Sequence, residues 1–272
     1  MVCVKRENVT KKLYSILVIV ALLKGHGENI LTTDDLGYFG HEGYKGLVED
    51  VHQFTMFLKR EYPNLPLIIV GHSMGSLIVR AYLKKFSNEV NAVVLSGSPS
   101  DNQLAGFGKR LIRFMALFRG WNYRSPMIEK MVNGPFEKPF MKEGIVNAWI
   151  CSDRDVVEEY NKDPLCGVTF TLNGYYALFS LIQTVYSKLG WSKKNRDLPV
   201  MCVSGENDPC RQGDKAFKKA VLHFKHCGFP NTFSKVYKGM RHEVFNEKNA
   251  SEVYEDILKF LEIKAGIEDI RY

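Results

Sequence analysis

Along the chain, short blocks dense in apolar residues alternate with longer stretches where apolar residues recur every three or four positions. Residues 67–70 (LIIV) follow Pro63 and Pro66 and predict a fully buried strand. Residues 91–99 (NAVVLSGSP) and 199–209 (PVMCVSGENDP) repeat the design, each apolar run stopped by small residues. Residues 232–239 (TFSKVYKG) alternate instead, the period of a half-buried strand. Between these blocks, Leu47, Val48, Val51, Phe54, Phe57 and Leu58 lie at helical spacing. Further helices are predicted over 77–86, 212–227 and 251–263. The β-branched run 13–23 also reads as a strand: it is too short to span a bilayer, and no small-residue cleavage site follows it. Strands separated by helices predict parallel βαβ units, with functional groups at the C-terminal strand ends.

Composition narrows the function classes. The 272 residues are 45% hydrophobic and 25% charged, ordinary for a globular chain with a substantial core. The net charge of +7 is spread along the sequence, with no long basic run, RNA-binding motif or zinc-finger spacing, so nucleic acid is not an expected partner. The six cysteines form no C-x-x-C pair and no cluster with histidines, which predicts reduced thiols, a cytoplasmic location, and neither metal nor cofactor.

Chemistry concentrates at Gly71-His72-Ser73-Met74-Gly75, where a predicted strand runs into a predicted helix. A serine between two glycines there predicts a nucleophile elbow, a strained turn that holds the hydroxyl out at the strand end. Such a serine needs an imidazole to take its proton and a carboxylate to orient that imidazole. In chain order Asp208 follows the strand at 200–204, within SGENDPC, and His242 follows the strand at 233–237, within KGMRHEVFNE. Asp214, His223 and His226 are rivals, but they fall within a predicted helix, where packing and solvated roles are commoner.

With these motifs, KGHGEN, DDLGYF, GHSMGS, VVLSGSP, DPLCG, SGENDP and RHEVFNE, the chain resembles the α/β-hydrolase family of monoacylglycerol lipases and lysophospholipases, the serine aminopeptidase S33 hydrolase domain. The resemblance runs from about Lys24 to the C-terminal helix. It implies an α/β-hydrolase fold, a mostly parallel sheet with helices on both faces and a helical cap. It also implies Ser73 as nucleophile, Asp208 as acid, His242 as base and the Met74 N–H as one oxyanion-hole donor. KGHGEN takes the place of the family's later RGHG element, with Leu22 where an aspartate is common. The opening strands and the HG loop that carries the second donor are therefore expected to be missing, and a hole short of one donor loses about 10²–10³ in turnover.

Residues 1–99 are expected to hold the first part of the core, 100–190 a helical cap and 191–272 the rest. In 106–123, Phe107, Leu111, Phe114, Met115 and Phe118 share one helical face, with Lys109, Arg110, Arg113 and Arg119 largely off it. The plainer reading packs that face on the core; the functional one is a lid that touches a membrane surface transiently. Residues 151–167 read as a solvated helix ending at Pro164, so Asp153, Asp155, Glu158 and Glu159 are not expected as ligands. Residues 174–189, with Tyr175, Tyr176, Leu178, Phe179 and Ile182, are read as core-facing, with the lining of an acyl pocket as the functional alternative. Three functions compete: an esterase for single-acyl-chain lipids, a peptidase of the aminopeptidase kind, and a weakly active or non-catalytic derivative. The first is preferred, with a small lipid ester as its substrate.

Overall fold

The computed structural model describes residues 24–27, 29–30, 32–192 and 194–267; the strand predicted over 13–23 lies outside them. In chain order the main elements are α1 (Tyr44–Glu61), β1 (Ile68–His72), α2 (Met74–Phe86) and β2 (Ala92–Ser96). There follow α3 (Ala105–Arg119), α4 (Pro126–Glu137), α5 (Arg154–Lys162), α6 (Leu172–Tyr186), β3 (Val200–Gly205), α7 (Gly213–His226), β4 (Thr232–Tyr237) and α8 (Ala250–Ala265). Among the described residues the sheet has four strands in the order β1-β2-β3-β4, and every pairing is parallel. Parallel neighbours need long crossovers, which explains the helix between each pair of strands.

Side chains alternate across the sheet because the strand period is two. Val93 and Leu95 of β2, with Val200 and Cys202 of β3, enter one core with Leu77 and Ile78 of α2 and Phe217 and Phe224 of α7. Ala92, Val94, Met201 and Val203 enter the other, against Val253, Phe260 and Leu261 of α8. A strand buried on both faces must be apolar throughout, and this is why β2 and β3 read as unbroken runs. Each fully buried Val or Leu side chain contributes about 1.5–3 kcal/mol. β4 keeps Thr232 and Tyr237 buried and exposes Phe233 and Ser234, and its alternating sequence follows from that edge position.

The helices between β2 and β3 are not a detached layer. Leu172, Tyr175, Phe179 and Leu181 of α6 share the core of α2, as the core-facing expectation for this helix requires. On α3 the outcome differs from the predicted stripe. Ala105, Gly108, Ile112 and Ala116 form the buried face, and Leu111 and Met115 pack at its margin. Phe114 and Phe118 stay 61% and 74% exposed. Small residues let α3 approach α6 closely, so the buried stripe is rotated from the one marked by the large side chains. Helix α4 falls within the expected helical cap, but no periodicity marks it. Pro135 interrupts its periodicity, although Ser125 caps it by accepting from the Ile128 N–H (3.3 Å) and Pro126 stands in its first turn.

Candidate active site

Ser73 sits between β1 and α2 with φ 50° and ψ −122°, a conformation costly for any residue with a Cβ. Three bonds hold it there. Its N–H donates to the Ser96 carbonyl (2.9 Å), and its carbonyl accepts from the Ser76 N–H (3.0 Å) and the Ser76 hydroxyl (2.5 Å). Gly71 is required by close approach, since a Cβ there would lie 2.9 Å from the Gly75 carbonyl oxygen and from Val79 Cγ2. Gly75 is not under the same constraint: a Cβ on it meets nothing within 4 Å. Met74 opens α2, so its N–H has no carbonyl one turn earlier to bond.

Asp208 and His242 meet on the neighbouring strand ends. His242 Nδ1 lies 3.0 Å from Asp208 Oδ1, and both side chains are buried. An ionised carboxylate only accepts, so Nδ1 carries the proton and Nε2 keeps its basic lone pair. Burial pushes the Asp208 carboxyl up, but the His242 charge and hydrogen bonds from His242, the Cys210 N–H (2.9 Å) and the Ser204 hydroxyl (3.1 Å) outweigh it and hold it below the usual range. Asp208 is therefore a fixed anion. The Cys210 thiol is driven well above its ordinary range by burial and by Asp208.

The imidazole is boxed in by neighbours that the sequence did not single out. A Cβ on Gly97, whose φ is +55°, would lie 2.9 Å from His242 Cε1 and 3.0 Å from its Nδ1. His72 packs beside it with ring centroids 4.6 Å apart, and Trp149 packs at 4.9 Å. Burial first, then the charge on His242, keep His72 far below the usual histidine range, so its ring is neutral. The Gly97 turn is held from below: Arg80 Nη1 donates to the Tyr186 hydroxyl (3.2 Å), which donates to the Pro99 carbonyl (2.8 Å). Ser73 and His242 thus both abut the Ser96-Gly97 end of β2. Among the described residues no hydrogen bond joins them; such bonds commonly tighten only with substrate in place.

The rival residues have structural employment. Asp214 pairs with Arg211 (2.6 Å), His223 bonds the Val185 carbonyl (3.1 Å) and His226 is exposed. Asp153 caps α5 by accepting from the Asp155 N–H, and Glu158 pairs with Arg154 at 2.9 Å. Lys24–Gly27 turns against Phe39, on which His26 stacks at 4.9 Å. Asp208, Cys210 and His242 place three potential donor atoms within 4.8 Å of one another. Two of them are spent on the His–Asp bond and the third is a neutral thiol, a poor set for a cation. Among the described residues no helix is long and apolar enough to cross a membrane.

A parallel sheet with a strained serine elbow after β1 and a buried His–Asp pair after β3 and β4 defines an α/β hydrolase. Residues 15–249 match the model of the family described as serine aminopeptidase, S33. The chain belongs to that family and is a serine hydrolase of the carboxylesterase and monoacylglycerol lipase type. It is similar to a monoacylglycerol lipase of Mycolicibacterium smegmatis, 27% identical over 218 residues that make up 79% of this chain and 68% of that protein. In structure it is similar to a thermostable carboxyl esterase from Bacillus coagulans (TM-score 0.77, 23% identity, 89% of this chain and 78% of that one). It is also similar to a soluble variant of the monoglyceride lipase of Saccharomyces cerevisiae (TM-score 0.61, 19% identity, 88% and 75%).

Proposed function

We propose that the chain hydrolyses esters of single-acyl-chain lipids, monoacylglycerols or lysophospholipids, with Ser73 as nucleophile, His242 as base and Asp208 as orienting acid. The observation that carries this reading is the buried 3.0 Å His242–Asp208 bond on the strand-end edge that also holds the strained Ser73 elbow. His242 Nε2 takes the Ser73 proton as Oγ attacks the ester carbonyl, and the Met74 N–H stabilises the oxyanion. His242 then protonates the leaving alcohol, and a water activated by the same imidazole releases the fatty acid.

Residues 100–190 act in this reading as the cap that shapes the acyl site. The exposed phenylalanines of α3, flanked by Lys109, Arg110, Arg113 and Arg119, suit transient contact with an anionic lipid surface. Cys151, Cys202, Cys210 and Cys227 are thiols, which fits a reducing, cytoplasmic setting. The test is Ser73→Ala with a monoacylglycerol and a fluorophosphonate probe. Hydrolysis is expected to fall by at least about three orders of magnitude, with labelling lost. Labelling that persists in that variant overturns the assignment. Faster turnover of an amide bearing a free α-amine than of any ester would favour a peptidase.

A further inference from the structure

The loop that carries His242 is fastened to the insert between β2 and β3. The His242 N–H donates to the Trp149 carbonyl (3.4 Å) and the Glu243 N–H to that of Ile150 (2.8 Å). Glu247 accepts from the Ser152 N–H (3.0 Å), the Ser152 hydroxyl and the Arg241 N–H (2.7 Å). Arg241 reaches the carbonyl of Ala148 (2.6 Å) and the carboxylate of Glu143 (3.0 Å). Residues 143–152 are thus stitched along residues 241–247. From this strap Trp149 packs its ring on the imidazole, and the same indole packs on Phe136 at 5.1 Å.

We propose that Trp149 is a positioning residue for the reaction: its indole fixes the His242 ring and stabilises the imidazolium that forms when the Ser73 proton is taken. This rests on His242 being the base. The geometry supports it in two ways. The imidazole is already pinned at Nδ1 by Asp208 and underneath by Gly97, so the indole closes a remaining direction in which the ring could swing. An indole 4.9 Å from an imidazole is also within the range at which an aromatic quadrupole attracts a cation, an effect that strengthens when water is excluded. Among the described residues the other titratable groups facing or close to His242 are Asp208, Cys210, His72 and Glu243. Only Asp208 among them is placed to offset a positive charge directly, because burial holds Cys210 and His72 neutral and pushes Glu243 up.

The test compares Trp149→Leu, which keeps apolar burial but removes the ring, with Trp149→Phe, which keeps a ring. In Trp149→Leu, kcat is expected to drop about tenfold with KM little changed, and the acid limb of the kcat/KM profile to move to lower pH. Trp149→Phe should restore most of both. A second readout uses Trp121→Phe/Trp191→Phe, in which Trp149 is the sole indole. Its emission should titrate with pH, and His242→Gln should abolish that titration. Native kcat and an unmoved profile in Trp149→Leu, while His242→Gln is inactive, overturn the role of Trp149 alone. Full activity in His242→Gln overturns the underlying reading instead.

Discussion

Gly97 lies directly against His242: a Cβ on it would sit 2.9 Å from the imidazole Cε1 and 3.0 Å from Cε1 of His72. The turn after β2 is therefore part of the floor on which the imidazole rests. Gly97→Ala is expected to cost about 1–2 kcal/mol for its left-handed backbone alone. Displacing the ring by a few tenths of an ångström to an ångström should also cut kcat by roughly ten- to a hundredfold. Thermal unfolding and ester turnover measure the two effects, and a stable variant with native kcat would show that the ring is not seated there.

Asp208 gives a pH signature. Its carboxyl is held below the usual range in the folded chain, so it contributes stability that is complete above the ordinary carboxylate value of 3.8. That contribution is lost as pH falls below this value and through the lower folded one. Asp208→Asn should flatten the acid limb of the stability curve and, by favouring the wrong imidazole tautomer, reduce kcat by roughly three to four orders of magnitude near neutrality. Urea midpoints from pH 7 down to pH 3 read the first effect. An acid limb as steep as the native one contradicts it.

The strand-and-helix skeleton and the elbow were legible in the sequence because they are local. The run from Ile68 to Val70 marks its strand, although it is not the fully buried strand expected, since Val70 is 55% exposed. The knot at Gly71–Gly75 and the small residues that stop β2 and β3 likewise encode their structure within a few positions. Chain order alone carried Asp208 and His242, which the fold joins at 3.0 Å across 34 residues. Trp149 was not legible. Its contact with His242 spans 93 residues and follows from the path of a loop between irregular helices, and no periodicity records it. Helix α3 shows the same limit: the pattern marked its large apolar side chains, but the close packing of Gly108 and Ala116 decided which face is buried.

Glu247 is the knot of the strap. Its carboxylate is buried and accepts from two backbone N–H groups and one hydroxyl, tying residues 241 and 152 together. Glu247→Ala should lower stability by about 2–3 kcal/mol, and Glu247→Gln by less, since the amide oxygen still accepts. A drop in kcat that tracks the loss of stability would be uninformative; the expected result is a larger kcat loss than KM change at a temperature where both variants are folded. Unchanged melting temperature in Glu247→Ala would refute the anchoring role.

The exposed rings of α3 predict lipid binding without a stability effect. Phe114 and Phe118 touch each other at 5.2 Å and face outward, so Phe114→Ser and Phe118→Ser should alter folding by no more than about 0.5 kcal/mol. Burying a phenylalanine in lipid is worth about 1.5–3 kcal/mol, so each change should weaken binding to anionic vesicles about tenfold or more. Co-sedimentation with vesicles that contain phosphatidylglycerol, set beside vesicles of phosphatidylcholine alone, separates the apolar from the charge contribution. Equal binding by native and doubly substituted proteins would remove α3 as the contact.

Acyl-chain selectivity is predicted to reside in the insert, not in the sheet. The strand ends carry the proposed reacting groups, Ser73, Asp208 and His242, whereas Trp149, which packs on His242, and Phe136, which packs on Trp149, come from the insert. A segment exchange with a short-chain esterase should therefore shift the preferred chain length. Helix α6 contributes Leu172, Tyr175 and Phe179 to the core of α2, so the exchange must stop before it, at about residue 170, or the fold will be lost with the selectivity. Phe136→Ala is the milder probe: it is only partly buried, and the space it vacates adjoins Trp149. Relative kcat/KM for esters of four to eighteen carbons should shift toward longer chains in this variant, by a factor of about 3–10 for each methylene newly accommodated. If both the exchange and Phe136→Ala leave the chain-length profile unchanged, the selectivity belongs to the loops at the strand ends.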